Sequence, residues 1–270
     1  MSATDDKDRA GDDETPDFDE TEMEAGTETG TLPFVKLVPN IVTTLGLCAG
    51  LTAIRFVMAG QYHWAVALIL ASVVIDGLDG LLARRLKATS DFGAQLDSLS
   101  DFLNFGVAPG LLVYQMALAA GERSDGWIFV LVYIVCCCMR LARFNVSQTQ
   151  NKGAGLPPSR TFTGVPAPAG ALMALLPVFV AFETGARLTD YPHLVEVYVV
   201  VIGLLMVSRL PTFSPKSIRV PRERIAWIMI GVALVIGIML AEIWRALIVA
   251  DLLYAASLLH AGLKVMRNRR

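Results

Sequence analysis

The sequence predicts an all-α polytopic membrane protein, and three observations lead to that prediction. Of the 270 residues, 54% are apolar and only 18% are charged, whereas soluble domains average about 25% charged residues. The mean hydropathy is +0.53. Several apolar stretches also reach the length of about 20 residues that a helix needs to cross a bilayer.

Eight stretches are long and apolar enough to be predicted as helical spans. They cover residues 37–58, 63–85, 98–119, 126–147, 164–183, 192–209, 225–241 and 244–263. Four tryptophans each stand near the start of a span, where interfacial aromatic residues are expected. They are Trp64, Trp127, Trp227 and Trp244.

Charge divides the chain into an acidic tail and a basic, apolar body. Residues 1–31 hold 12 Asp and Glu against 2 Lys and Arg, while residues 32–270 hold 13 and 21. The tail has too few apolar residues to offset its ordering entropy, so we predict a disordered segment. We further predict a catalytic transmembrane domain over 32–224 and a C-terminal transmembrane hairpin with a basic tail over 225–270.

Loop charges predict the orientation in the membrane. Loops on one side of the predicted spans hold 17 Lys and Arg, and loops on the opposite side hold 3. Basic residues accumulate on the cytosolic side. We therefore expect a multi-pass protein of the inner membrane with both termini in the cytosol.

Four aspartates stand out because charge inside a span is costly and usually marks function. Asp76 and Asp79 are three residues apart near the inner end of the second span, so they share a helix face. Asp97 and Asp101 are four apart at the start of the third span and share a face in the same way. The short connection between the two spans makes them antiparallel neighbours. We therefore expect the four carboxylates to converge just inside the cytosolic boundary.

Converging carboxylates need positive charge, because they repel strongly at low dielectric constant. Arg84 and Arg85 are too few to neutralise four aspartates in a purely structural ion-pair network. Hard divalent cations prefer carboxylate ligands, and two such ions can stabilise both the attacking and the leaving oxygen of a phosphoryl displacement. The pattern therefore indicates a metal site suited to phosphoryl transfer.

The aspartates belong to a pattern of eight fixed residues over 26 positions. It reads Asp76-x2-Asp79-Gly80-x2-Ala83-Arg84-x8-Gly93-x3-Asp97-x3-Asp101. This pattern resembles the signature of the CDP-alcohol phosphotransferases in every defining position and spacing. The resemblance implies a six-helix core, here followed by two further helices, and a homodimer.

The same resemblance implies a role for each residue of the pattern. Asp76, Asp79 and Asp97 are expected to hold Mg²⁺ or Mn²⁺, with two ions in the site. Asp101 is expected to act as general base and to help bind the second ion. Four further residues are expected to line the site for the CDP moiety: Gly80, Ala83, Arg84 and Gly93.

Longer motifs between about residues 37 and 220 resemble one branch of that family, the membrane-integral bacterial phosphatidylserine synthases. They are Pro39-Asn40 with Thr43, the stretch 97–109 with Asn104, Arg140-Leu-Ala-Arg143-Phe144-Asn145, and Phe162-x-Gly164-x-Pro166. The implied reaction joins CDP-diacylglycerol and L-serine, giving phosphatidylserine and CMP. Asn40 and Thr43 are expected at the substrate site. Membrane lipids are expected partners and nucleic acid is not.

A serine carboxylate suits a guanidinium group, which binds carboxylates in a bidentate manner. Arg140 and Arg143 lie three residues apart at the level of the aspartates. We predict that at least one binds serine or the diphosphate, with Asn104 and Asn145 adding hydrogen bonds. The alternative is that both arginines only anchor a helix end at the cytosolic interface.

Two other functions stay open. A sister enzyme would use glycerol 3-phosphate, an inositol phosphate or choline, and a phosphorylated acceptor would need further cationic residues beside the aspartates. A divalent-cation transporter would need polar residues continuing to the outer face, and the second and third spans lack such a track. Elsewhere, Arg55 and Asp251 are expected only to pair or to reach the interface.

Overall fold

A computed structural model of the chain describes residues 37–86, 90–119, 125–153, 164–208, 237 and 241–268, without the side chains of 148–153 and 263–268. Within these ranges the secondary structure is helical. The helices are α1 (Val38–Met58), α2 (Tyr62–Arg85), α3 (Asp91–Asp101), α4 (Ala108–Val113), α5 (Gly126–Gly153), α6 (Ala167–Thr184), α7 (Pro192–Val207) and α8 (Ile243–Asn268). π-Helical segments at Phe102–Val107 and Tyr114–Leu118 make α3 and α4 one continuous helical stretch.

Most of the predicted spans are confirmed. Five helices are long and apolar enough to cross a membrane: Val38–Met58, Tyr62–Arg85, Gly126–Ser147, Ala167–Thr184 and Ile243–Gly262. The shorter apolar helix α7 matches the predicted span at 192–209. The predicted span 225–241 lies outside the described residues except at 237 and 241, so the count of eight stays a prediction.

The third predicted span begins earlier than its apolar stretch suggests. The helix starts at Asp91, with the Ser90 side chain accepting a hydrogen bond from the Gly93 N–H at 3.0 Å. This cap extends the helix by about two turns beyond the predicted start at residue 98. Asp97 therefore lies inside a capped helix rather than at its fraying start, and Asp101 is the last residue of α3.

Glycines and prolines set the other helix boundaries. Pro39 lies in the first turn of α1, where the missing N–H is not needed. Gly60 has φ +71° in the tight turn between α1 and α2, and Gly185 has φ +70° directly after α6. Both positions use the left-handed conformation that glycine adopts without strain.

The helices pack around α6, and the outer surface is apolar. Half of the spanning window of α6 is buried, compared with 28% for α1, α2 and α5. Large side chains on the outside are exposed, among them Leu45 at 58% and Leu253 at 67%. Such a surface belongs in lipid, because soluble monomers rarely expose contiguous apolar patches of this extent. The all-α polytopic membrane fold is confirmed.

Candidate active site

Three of the four aspartates meet in space. Asp76 comes from α2, and Asp97 and Asp101 come from α3. One carboxylate oxygen from each lies within 4.8 Å of the others. The carboxyl groups of Asp76 and Asp101 are close enough to share a hydrogen bond. The predicted convergence of α2 and α3 is therefore observed for these three side chains.

Asp79 lies beside this cluster and is held by α1. It is 5% exposed, and its Oδ2 accepts a hydrogen bond of 2.7 Å from the hydroxyl of Thr43. Its charge is within electrostatic range of Asp76 and Asp97. Thr43 thus fixes one oxygen of Asp79, and its place at the substrate site stays a prediction.

The cluster suits a divalent cation. Oxygens that share one Mg²⁺ at about 2.1 Å lie about 3.0 Å apart when cis and about 4.2 Å apart when trans, so carboxylate oxygens within 4.8 Å of one another approach the spacing of the ligands of one ion. Three carboxylates without a compensating ion would repel one another. Asp76, Asp97 and Asp101 are therefore the residues that would hold the metal, with Asp79 next to them.

Two glycines let α1 approach the aspartate helices closely. A Cβ on Gly93 would lie 2.7 Å from Oδ1 of Asn40, and a Cβ on Gly50 would lie 1.8 Å from Oδ1 of Asn104. Both distances are too short for a larger residue unless the neighbouring side chains move. Gly93 therefore leaves room for Asn40 beside α3, and its place in the lining of a CDP site stays a prediction.

A π-helical segment follows Asp101 directly and was not predicted. Pro109 lacks the N–H that would bond to the Phe105 carbonyl in an α-helix. That carbonyl instead accepts a hydrogen bond of 2.6 Å from the hydroxyl of Tyr133 on α5. The buried Asn104 lies within this segment and donates to Ser100 at 3.2 Å. Pro109 was the sequence signal that could have indicated this segment, because its missing N–H interrupts the α-helical hydrogen bonds. π-Helical turns often occur at functional sites.

The two predicted arginines have different surroundings. The guanidinium of Arg140 is within electrostatic range of Asp76 and Asp101. Arg143 is exposed and donates a hydrogen bond of 2.7 Å to the carbonyl of Val207, at the end of α7. The charge of Arg140 can therefore act on the aspartate cluster, whereas one N–H group of Arg143 joins α5 to α7.

The remaining predicted residues line the same end of the bundle. Asn145 exchanges hydrogen bonds of 2.9 and 3.0 Å with Ser98, one residue after Asp97. Gly80 has an open surface, and the exposed Arg84 bends back over it, with Nη1 3.6 Å from the position of a Cβ. Ala83 is half-buried beside them on α2. These positions agree with a polar site at the ends of α2, α3 and α5.

Comparison with known proteins identifies the family. The CDP-alcohol phosphatidyltransferase family model matches residues 36–208. The chain belongs to this family. The matched region agrees with the resemblance found between about residues 37 and 220, and it contains all the predicted site residues.

Three of the similar proteins illustrate the relationship, and each is named CDP-diacylglycerol–serine O-phosphatidyltransferase. The one from Mycobacterium leprae is 38% identical over 190 residues, covering 69% of this chain and 61% of the relative. The one from Helicobacter pylori strain 26695 is 33% identical, covering 66% and 73%. The one from Bacillus subtilis is 34% identical, covering 64% and 88%. The chain thus spans less than two thirds of the mycobacterial relative.

Proposed function

We propose that this protein transfers the phosphatidyl group of CDP-diacylglycerol to the hydroxyl of L-serine, giving phosphatidylserine and CMP. The observation that carries the proposal is the meeting of Asp76, Asp97 and Asp101 within 4.8 Å in a chain of the CDP-alcohol phosphatidyltransferase family. The names of the similar proteins support the choice of serine as acceptor.

The aspartates have distinct roles in the proposed reaction. Asp76, Asp79, Asp97 and Asp101 would hold Mg²⁺ or Mn²⁺, with two ions in the site. When bound, the ions supply positive charge that offsets the charge of the diphosphate. Asp101 accepts the proton of the serine hydroxyl on a carboxylate oxygen. The serine oxygen forms a bond to the phosphorus that carries the diacylglycerol, and the bond from that phosphorus to the oxygen of CMP breaks.

Arg140 is the better candidate for binding the serine carboxylate. Its guanidinium lies within electrostatic range of the aspartates, so a serine bound there would have its hydroxyl near Asp101. Arg143 already donates to the Val207 carbonyl. A guanidinium binds a carboxylate through two parallel hydrogen bonds, which would also orient the acceptor.

A groove beside α1 and α3 suits an acyl chain of the donor. It has a volume of about 480 Å³ and is lined by Leu37, Asn40, Ile41, Thr44, Leu45, Phe92 and Leu96. Most of these side chains are apolar, and Asn40 lies at the contact with Gly93. We propose that a lipid chain enters here from the bilayer while its head group reaches the aspartates.

The same proposal includes the setting of the enzyme. The charge difference between the loops supports an inner-membrane protein with both termini and the site in the cytosol. L-Serine would then enter from the cytosol. A homodimer rests on the family resemblance alone.

Swapping the acceptor tests the proposal. Purified protein with CDP-diacylglycerol and Mg²⁺ or Mn²⁺ is given L-serine, glycerol 3-phosphate, an inositol phosphate or choline, and CMP release is measured. We expect release that depends on L-serine. Release with another alcohol would point to a sister enzyme, whereas metal flux into vesicles without CMP release would point to a transporter.

A further inference from the structure

A side-chain contact joins α3 to α5 beside the aspartates. Nδ2 of Asn145 donates a hydrogen bond of 2.9 Å to the hydroxyl oxygen of Ser98, and Oδ1 of Asn145 lies 3.0 Å from the same hydroxyl. Ser98 directly follows Asp97, and both partners of the contact are partly buried. The Ser98 hydroxyl also lies 3.0 Å from the carbonyl oxygen of Ala94. Because a hydroxyl has one proton and two lone pairs, it can accept from Asn145 and donate at the same time.

The contact ties together two helices that pack mainly on different neighbours. α3 packs mainly against α1, whereas α5 packs mainly against α7. The end of α5 is held on both sides, because Arg143 donates to the Val207 carbonyl at 2.7 Å and Asn145 bonds to Ser98. The hydrogen bond from Tyr133 lies about 18 Å farther along α5. The Ser98 contact is therefore a tie between α3 and α5 at the level of the aspartates.

Ser98 is placed to set the rotation of α3 about its own axis. Successive residues of an α-helix are about 100° apart, so Ser98 lies about 100° from Asp97 and about 60° from Asp101 around the helix. A rotation that breaks the contact with Asn145 would move both carboxylates relative to Asp76 on α2. Mg²⁺ requires nearly ideal ligand geometry, so such a rotation would weaken metal binding.

We propose that Ser98 and Asn145 are positioning residues, whose contact holds Asp97 and Asp101 in the geometry that binds the metal. Groups that orient metal ligands without touching the metal commonly change metal affinity by about 10- to 100-fold. This role differs from the hydrogen bond to the substrate that the sequence predicts for Asn145, and Ser98 is not one of the eight fixed residues of the family pattern. The inference rests on the proposed function and deepens it.

Binding of Mn²⁺ tests this role without turnover. The purified protein is titrated with Mn²⁺ in the presence of CDP-diacylglycerol and without an acceptor alcohol, and free Mn²⁺ is measured by electron paramagnetic resonance. We expect Ser98→Ala to raise the dissociation constant of Mn²⁺ about tenfold, because it removes the contact and keeps every carboxylate. The matched control is Ser147→Ala, which removes an exposed hydroxyl that bonds to the Phe144 carbonyl within α5. This control should bind Mn²⁺ as the wild type does.

A double-mutant cycle separates positioning from a general structural effect. In an Asn145→Ala background the contact is already lost, so Ser98→Ala should change the dissociation constant of Mn²⁺ by less than about twofold. Tenfold weakening in both backgrounds would overturn the inference, as would a lower unfolding temperature of Ser98→Ala with unchanged Mn²⁺ binding. A wild type that binds no Mn²⁺ would overturn both the metal site and this inference. Turnover of another alcohol but not L-serine would contradict only the proposed substrate, because the binding measurement contains no acceptor.

Discussion

Asp101 is the residue that we propose as the acceptor of the serine proton. Its carboxylate group lies with one oxygen within 4.8 Å of a carboxylate oxygen of Asp76 and of Asp97. Its helix is fixed by the Ser90 cap at one end and continues into the π-helical segment at the other. The backbone that carries Asp101 is thus held at both sides, which suits the proposed role as general base.

Replacing Asp101 with Asn should separate donor binding from turnover. The amide keeps the shape of the side chain but cannot accept the serine proton, so CMP release should fall by about 10²-fold or more. CDP-diacylglycerol binding, measured by titration, should stay within about tenfold of wild type. The control is Asp91→Asn, an exposed aspartate on the same helix, which should retain full turnover. Normal turnover in Asp101→Asn would remove its role as base.

Sequence spacing predicted the aspartate cluster but not the difference between the arginines. Residues three or four apart on a helix must share a face, so Asp97 and Asp101 could be paired without a structure. Arg140 and Arg143 obey the same spacing, yet Arg140 lies within electrostatic range of the aspartates and Arg143 bonds to Val207. Long side chains can adopt several rotamers, and the groups whose contacts select one rotamer lie on other helices.

At the scale of the helices, the π-helical segment joins α3 to α5. The Tyr133 hydroxyl donates to the Phe105 carbonyl, whose usual helical donor is missing at Pro109. Periodicity cannot predict such a segment, because it changes the helical repeat only locally. The bond fixes α5, which carries Arg140, relative to α3, which carries Asp97 and Asp101.

Removing the Tyr133 hydroxyl should therefore destabilise the bundle. Tyr133 is fully buried, and leaving a buried carbonyl without this donor is expected to cost about 1–3 kcal/mol in the Tyr133→Phe variant. The measurement is thermal unfolding in detergent. Tyr114→Phe is the control, since its half-buried ring packs edge-on against Trp127. An unchanged transition in Tyr133→Phe would show that the hydroxyl contributes nothing to the packing.

α1 approaches the π-helical segment closely at Gly50, which leaves no room there for a larger side chain. A Cβ in Gly50→Ala would lie 1.8 Å from Oδ1 of Asn104, so the variant should unfold at a lower temperature and have reduced activity. Gly77→Ala is the control, because nothing lies within 4 Å of its Cβ position. Alanine favours a helix interior by up to about 1 kcal/mol over glycine, so Gly77→Ala should be at least as stable as wild type. Similar unfolding of both variants would contradict the described packing.

At the scale of the whole molecule, hydropathy predicted the membrane class and most spans. The apolar exterior and the five long apolar helices agree with that prediction. The docking of α8 on α6 could not be predicted from hydropathy. It depends on contacts of Trp244 and Glu183 with residues that are far from them in the sequence. Loop charges predict the orientation of the whole bundle, and that prediction can be tested directly.

Cysteine labelling in intact cells should report the orientation. In a functional variant without Cys48, Cys136, Cys137 and Cys138, single cysteines are placed at the exposed residues Gln95 and Ala186. A membrane-impermeant thiol reagent should label Ala186→Cys directly. It should label Gln95→Cys only after the membrane is permeabilised, because that side is predicted to be cytosolic. The opposite pattern would invert the assigned topology and place the aspartates on the outer side.

The central claim is that the aspartate site joins a serine hydroxyl to the phosphatidyl group. The most direct test is the product balance of the purified protein given CDP-diacylglycerol, labelled L-serine and Mg²⁺ or Mn²⁺. We predict equal amounts of CMP and serine-labelled phospholipid, both lost on chelation of the metal. CMP release without labelled lipid would indicate hydrolysis of the donor and would contradict transfer to serine.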